Sequence, residues 1–210
     1  MAEEDNSIFA VNCRTDGNGG PYIWIVAAVN NRGRSKKTVH FNGFVDLDKI
    51  NLRWGYAQET IGYQIDYFLS MDDLDIRHPI KYESSEALLN AFWQFYLANR
   101  GLSLLVIDYK FYDDKKLTFS NIVNWNPDRM FAACIDLDRD AREDDQPHAW
   151  LDLSTLMFAK GHSPAISRSD FIQKHNCSLV PNDWATFCLD PLREALTTLS
   201  VANYLLNIKK

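Results

Sequence analysis

The sequence predicts an α/β fold: a mixed sheet that opens with a three-stranded antiparallel meander and is flanked by helices. Three observations predict it. Two apolar, β-rich runs at residues 8–13 and 22–29 are separated by the turn cluster Asp16-Gly-Asn-Gly-Gly-Pro21, which reads as a hairpin. A helical repeat, Leu88, Leu89, Phe92, Trp93, Phe95 and Tyr96, is followed after Gly101 by the short apolar run 102–107, the pattern of a strand buried on both faces. A second helical repeat, Leu192, Ala195, Leu196, Leu199, Asn203 and Leu206, comes last.

The elements follow in order. Asn30-Asn-Arg-Gly33 turns the chain into a third strand over 38–45. Residues 47–75 interleave aromatics with carboxylates and suit short helices. Ser84-Ser-Glu86 supplies a cap for the first clear helix, which Asn99-Arg-Gly101 ends. After the buried strand, residues 109–117 suit a helix, 123–127 a loop and the apolar run 130–137 another strand. The acidic run 138–147 reads as a solvated loop, 150–159 as a helix, 161–169 as a turn-rich link and 170–175 as a short helix. For the last helix Asp190 can cap and Pro191 suits the first helical position. No repeat or composition shift divides the chain, so residues 1–210 are expected to form a single domain.

Composition narrows the function. The formal charge of −6 opposes a broad basic face, and phosphate neutralisation by Lys and Arg supplies most non-specific nucleic-acid affinity. Tight binding to bulk DNA or RNA is not expected, although a local groove stays open. Cys13, Cys134, Cys177 and Cys188 form no CxxC pair and follow an acidic N-terminal stretch, which points to a reduced, intracellular protein of the cytoplasm or nucleus. The longest apolar runs, 23–29 and 102–107, fall far short of the roughly 20 residues of a membrane span, so no membrane partner is expected.

The chemistry-bearing residues sit at three places. The first strand ends in Asn12-Cys-Arg14-Thr15-Asp16-Gly17, with Asn12 and Arg14 pointing the same way from the strand. The buried strand leads into Leu104-Leu-Val-Ile-Asp-Tyr-Lys-Phe-Tyr-Asp113, and the last helix starts at Leu189-Asp-Pro-Leu-Arg-Glu194. In this order and on these elements the chain resembles the DEDD family of 3′-to-5′ exonucleases, close to its DEDDh branch, which has the ribonuclease H-like fold. The family's first motif is Asp-x-Glu-Thr-x-Gly; here Thr15 and Gly17 match, while Asn12 and Arg14 stand at both acids. Its second is His-Asn-x-x-Phe-Asp; here Tyr112 stands at the aromatic, Asp113 at the acid, and Asp108 and Tyr109 at the His-Asn pair. In the third, a general-base His, or Tyr in a sister branch, precedes the last Asp by five residues; here Leu189 stands at the base and Glu194 at the acid.

The resemblance implies a site for two divalent cations roughly 4 Å apart, held by clustered carboxylates. Asn12 and Arg14 remove two negative charges and add a positive one, a swing of three units against metal loading. Loss of the base at Leu189 removes a proton acceptor of a kind worth on the order of a hundredfold or more in rate. No catalytic set is intact and no cofactor is expected. Each residue also has a plain structural reading: Asn12 and Arg14 as polar strand residues, Asp113 and Glu194 as acids favoured by a helix N-terminus. Arg14 could pair with Asp113 or Glu194, a salt bridge holding strand to helix.

Other constellations are weaker. His175 and Cys177 with Cys188, and His148 or His162, match no zinc spacing. The segment Asp136-Leu-Asp-Arg-Asp140 lacks the Gly and the bidentate Glu of a calcium loop. Gly17-Asn-Gly-Gly20 has neither the Lys nor the helix of a phosphate cradle. Arg34, Lys36 and Lys37 make a small solubilising tip.

Two functions therefore stand side by side. One is a catalytically inactive exonuclease-like domain acting as a scaffold, with a protein partner and with weak affinity for RNA or single-stranded nucleic acid as a further option. The aromatics Trp54, Tyr56, Tyr63, Tyr67 and Phe68 fit a protein-binding surface as well as a core. The alternative is an active Mg- or Mn-dependent 3′-to-5′ exonuclease using a rearranged set drawn from Asp16, Asp108, Asp113, Asp114, Asp190 and Glu194.

Overall fold

The computed structural model describes residues 7–15, 21–31, 38–46, 48, 79–100, 104–107, 127–147, 149–180 and 191–206. Among them, strands β1 (Ser7–Thr15), β2 (Tyr22–Asn31) and β3 (Thr38–Val45) form the opening antiparallel meander. Strand β4 (Ile80–Tyr82) adds to β3 in parallel and leads into helix α1 (Ser85–Asn99). Strand β5 (Leu104–Ile107) returns beside β1 in parallel. Helix α2 (Pro127–Leu137), strand β6 (Ala149–Asp152), α3 (Leu153–Ala159), α4 (Arg168–His175) and α5 (Pro191–Leu205) follow. The described sheet has six strands in the order β4-β3-β2-β1-β5-β6, and only β2 runs against the rest. The architecture is α/β with a mixed sheet.

The two-residue period of β1 divides the core. Phe9, Val11 and Cys13, with Ile25, Ala27 and Val29 of β2, face α1 and α2. Ile8 and Ala10, with Val26 and Ala28, face α5 and the α3–α4 region. On the first face Leu88, Phe92, Trp93 and Tyr96 of α1 repeat at helical spacing and are buried. Ser84 starts that helix by accepting a hydrogen bond from the backbone N–H of Ala87 at 3.1 Å. On the second face Leu192, Ala195, Leu196 and Leu199 of α5 lie across β1 and β2.

Two expectations are corrected. Residues 130–137 are not a strand but most of α2, which begins at Pro127, a residue suited to a first helical position. Its buried members Met130, Phe131 and Cys134 are spaced i, i+1, i+4, and Phe131 meets Tyr96 edge-on at 4.9 Å. A run of mixed apolar residues has no strict alternation, and here the helical period prevails. Residues 150–152 are not helical but belong to β6, in register with β5. Trp150 packs toward the α2 side and Leu151 toward the α5 side, the alternation of a strand. Asp152 then caps α3, its carboxylate accepting from the Thr155 N–H at 2.8 Å.

Strand β4 is too short to carry a periodic signal, and the sequence reading passed over it. Helix α4 starts at Arg168, two residues ahead of the expected start, because Ser167 caps it. In the acidic run, Asp138 accepts from the indole N–H of Trp93 at 2.8 Å. Asp145 pairs with Arg100, and hydrogen bonds from the Arg142 backbone and then Arg100 hold its carboxyl below the usual range. The expected helix at 109–117, the mixed stretch 49–75 and the Asp190 cap lie outside the described residues.

Gly43 on β3 leaves no room for a side chain against Tyr82 and Leu88. A Cβ there would stand 2.7 Å from the Tyr82 ring and 2.8 Å from Leu88 Cδ1. Leu88 is fully buried and cannot swing into solvent. Gly43→Ala is therefore expected to destabilise the fold by about 1–3 kcal/mol, the cost of overpacking a filled core. Urea unfolding checks this, with a lower midpoint at an unchanged slope as the expected result.

Candidate functional site

Asn12 and Arg14 lie two residues apart on β1 and so share its α5 face. They fall beyond Ala10, the last β1 residue paired with β5. Opposite them the β1–β2 register slips: Arg14 pairs with Trp24 and Thr15 with Tyr22, which leaves Ile23 as an extra residue. Such a bulge bends and twists the strand, re-aiming the side chains beside it. Helix α5 brings its first-turn acid, Glu194, onto the same spot.

The three polar side chains close a triangle. The Asn12 amide N–H donates to Oε2 of Glu194. Arg14 donates from one terminal nitrogen to Oδ1 of Asn12 at 2.8 Å and from the other to Oε2 of Glu194 at 3.2 Å. A further, longer contact joins the guanidinium to the Cys13 carbonyl at 3.4 Å. Asn12 is 5% exposed, while the Arg14 and Glu194 side chains keep 23% and 12% of their exposure. An amide this deep must be satisfied at both ends, and here Arg14 and Glu194 supply its donor and acceptor. The acid also sits where the positive end of the α5 dipole favours negative charge.

Of the sequence-derived positions, the structure brings Asn12, Arg14 and Glu194 together and makes the Arg14–Glu194 salt bridge. Asp113 and Leu189 lie outside the described residues, as do Asp16, Asp108, Asp114, Asp190, Cys188, His148, the Arg34–Lys37 tip and the aromatics from Trp54 to Phe68. One partner was not foreseen: Asn42 on β3, buried beside this site, accepts from the indole N–H of Trp24 at 2.8 Å. Asn12 and Asn42 are both in register with Val26 of β2, so the two amides flank one β2 position on the same face. The available signal was an Asn at an inward position of a strand of apolar neighbours.

Other reactive groups are kept quiet. Cys13, Cys134 and Cys177 are buried. Burial pushes the Cys134 thiol up to about 12. Burial also raises the Tyr22 hydroxyl well above its ordinary range, with Cys13 and Cys134 adding to the effect. Neither the Cys134 thiol nor the Tyr22 hydroxyl is poised as a nucleophile at neutral pH. Among the described residues no three His, Cys, Asp or Glu side chains are grouped so as to hold a metal ion. No described helix is long and apolar enough to cross a membrane. In comparison with known proteins, no family model matches the chain and no curated protein is significantly similar to it.

Two measurements follow. Arg14→Ala is expected to cost about 1–2 kcal/mol, between an exposed pair and a fully buried one, since it strands a largely buried carboxylate. In a cycle with Glu194→Ala, the double variant should lose less than the sum of the singles by about 1 kcal/mol, read by chemical denaturation. A thiol reagent should label Cys134 only on unfolding, because the thiolate is disfavoured at every pH below the raised value.

Proposed function

We propose that the protein is an exonuclease-like domain of ribonuclease H-like fold that has lost catalysis and works as a scaffold inside the cell, in the cytoplasm or nucleus. The observation that carries the reading is the convergence of Asn12 and Arg14 with Glu194, 182 and 180 residues further along the sequence, on one end of β1. These are two of the three places where the resemblance to the DEDD family puts its acids. The opening meander and the parallel return of β5 beside β1 agree with the fold expected from that resemblance.

The residues present do not fit a pair of divalent cations. Two such ions bring four positive charges and need clustered carboxylates around them. Among the described residues the carboxylate at this spot, Glu194, is already paired to a guanidinium, and Arg14 and Glu194 together sum to zero charge. A cation entering this spot would have to displace Arg14 and would meet its repulsion. The overall charge of −6 favours a protein partner over extended nucleic-acid contact. Weak binding of RNA or single-stranded nucleic acid would be confined to a local groove and would fall with salt.

The test is nuclease activity and metal binding. Purified protein with Mg²⁺ or Mn²⁺ is expected to leave single-stranded RNA and DNA intact. Processive shortening that disappears in Asp113→Ala would establish instead the active enzyme with a rearranged carboxylate set. Asn12→Asp combined with Arg14→Glu should raise Mn²⁺ affinity measurably by titration calorimetry, and no gain would count against the family assignment.

A further inference from the structure

His175 ends α4 with its ring against those of Phe171 and Tyr204, at centroid distances of 4.4 and 4.5 Å, the three rings forming a triangle. His162, from the link between α3 and α4, meets the His175 ring edge-on at 5.3 Å and 84°. It also packs on Phe171 at 5.0 Å. The Nε2 atom of His175 is buried and has no hydrogen-bond partner. An imidazole so placed resists protonation. Burial acts first, the neighbouring His162 second and Lys174 third, and all three press its pKa below the ordinary value.

The groups facing it are Lys174 on its own helix, His162 from the link and Tyr204 on α5. Among the described residues no carboxylate is one of the charges acting on it. Asp170 stands more than a turn away, at the start of α4.

The two ends of α4 are held by different chemistry. At its start the Arg168 guanidinium, 4% exposed, donates to Ser154 Oγ and to Met157 Sδ, both at 2.8 Å. Arginine does not titrate in this range. At its end the chain leaves through Asn176 in the left-handed region, φ 47°. It then returns to α5 where the Leu179 N–H donates to Ser200 Oγ at 2.9 Å. Between these two attachments, the α4–α5 contact at His175 consists of aromatic stacking around a buried, unbonded nitrogen.

We propose that His175 is a pH-sensitive clasp: acidification protonates its buried, unbonded nitrogen and frees residues 175–180 from α5, while Arg168 keeps the start of α4 in place. The docked arrangement excludes the proton, whereas the released one accepts it at the ordinary value of 6.5. Docking is therefore complete above that value and is lost as pH falls through the lower value of the docked state.

Hydrogen exchange on the whole chain tests this at about pH 7.5 and about pH 5.5, on either side of the imidazole range. After correction for intrinsic rates, protection is expected to fall at acid pH in residues 175–180 and the last turn of α4 while β1 and β2 keep theirs. His175→Phe retains the ring stack without a proton site and should abolish the response. Equal protection at the two pH values, or the same acid response in that variant, would overturn the clasp. Should the variant fail to fold, an NMR titration of the histidines in the native chain decides: His175 titrating at or above the ordinary imidazole range refutes it.

Discussion

Strand β1 is buried on both faces and has a neighbour along both edges, and that double confinement governs the rest of the molecule. Every side chain it carries must satisfy one of two cores. Phe9, Val11 and Cys13 go to the α1 and α2 side, and Ile8 and Ala10 to the α5 side. A shift of one residue would send each set to the wrong core and bury Arg14 among the aromatics of α1. The same alternation places Asn12 and Arg14 under the first turn of α5, where a polar side chain is tolerated only with partners. The acid on α5 and the two polar residues on β1 are thus a single requirement met from two ends of the chain.

The triangle's energy is modest, and its geometry matters more. Exposed ion pairs are worth roughly 0–1 kcal/mol, and a buried pair often does no better than apolar residues of the same size. With 23% and 12% exposure the Arg14–Glu194 pair lies between these limits. Its effect is directional: an apolar helix face can slide over a sheet at little cost, but Glu194 meets its donors at one angle and one depth. The bulge at Ile23 serves the same end by turning β1 at the residue that carries the guanidinium. Arg14 and Glu194 carry no net charge between them, and their contact fixes the orientation of α5 on β1.

Much of this was legible in the sequence, and the failures have physical causes. The meander could be read because its turns are rich in Gly and Asn and its strands in β-branched and aromatic residues. Helices α1 and α5 could be read because their buried residues keep the helical period over four turns. Residues 130–137 misled because Met130 to Ile135 is apolar at every position, a pattern that a buried strand shares. Trp150 to Asp152 misled because three strand residues run directly into a helix and the boundary lies in one cap side chain. At the site, the Arg14–Glu194 pair could be anticipated because a strand alternates and a helix favours acids in its first turn. Asn42 could not, since its role depends on which β2 residue lies across from it, and register is a property of the assembled sheet.

The hydrogen bonds from Asn12 and Arg14 to Glu194 span 182 and 180 residues. On a ribosome, the strand that organises both cores emerges some 180 residues ahead of the helix, α5, that covers its second face. During that interval Ile8 and Ala10 and the apolar faces of β2 are exposed, a condition that slows folding and invites association with other nascent chains or with chaperones. Completion is thus a late, cooperative step.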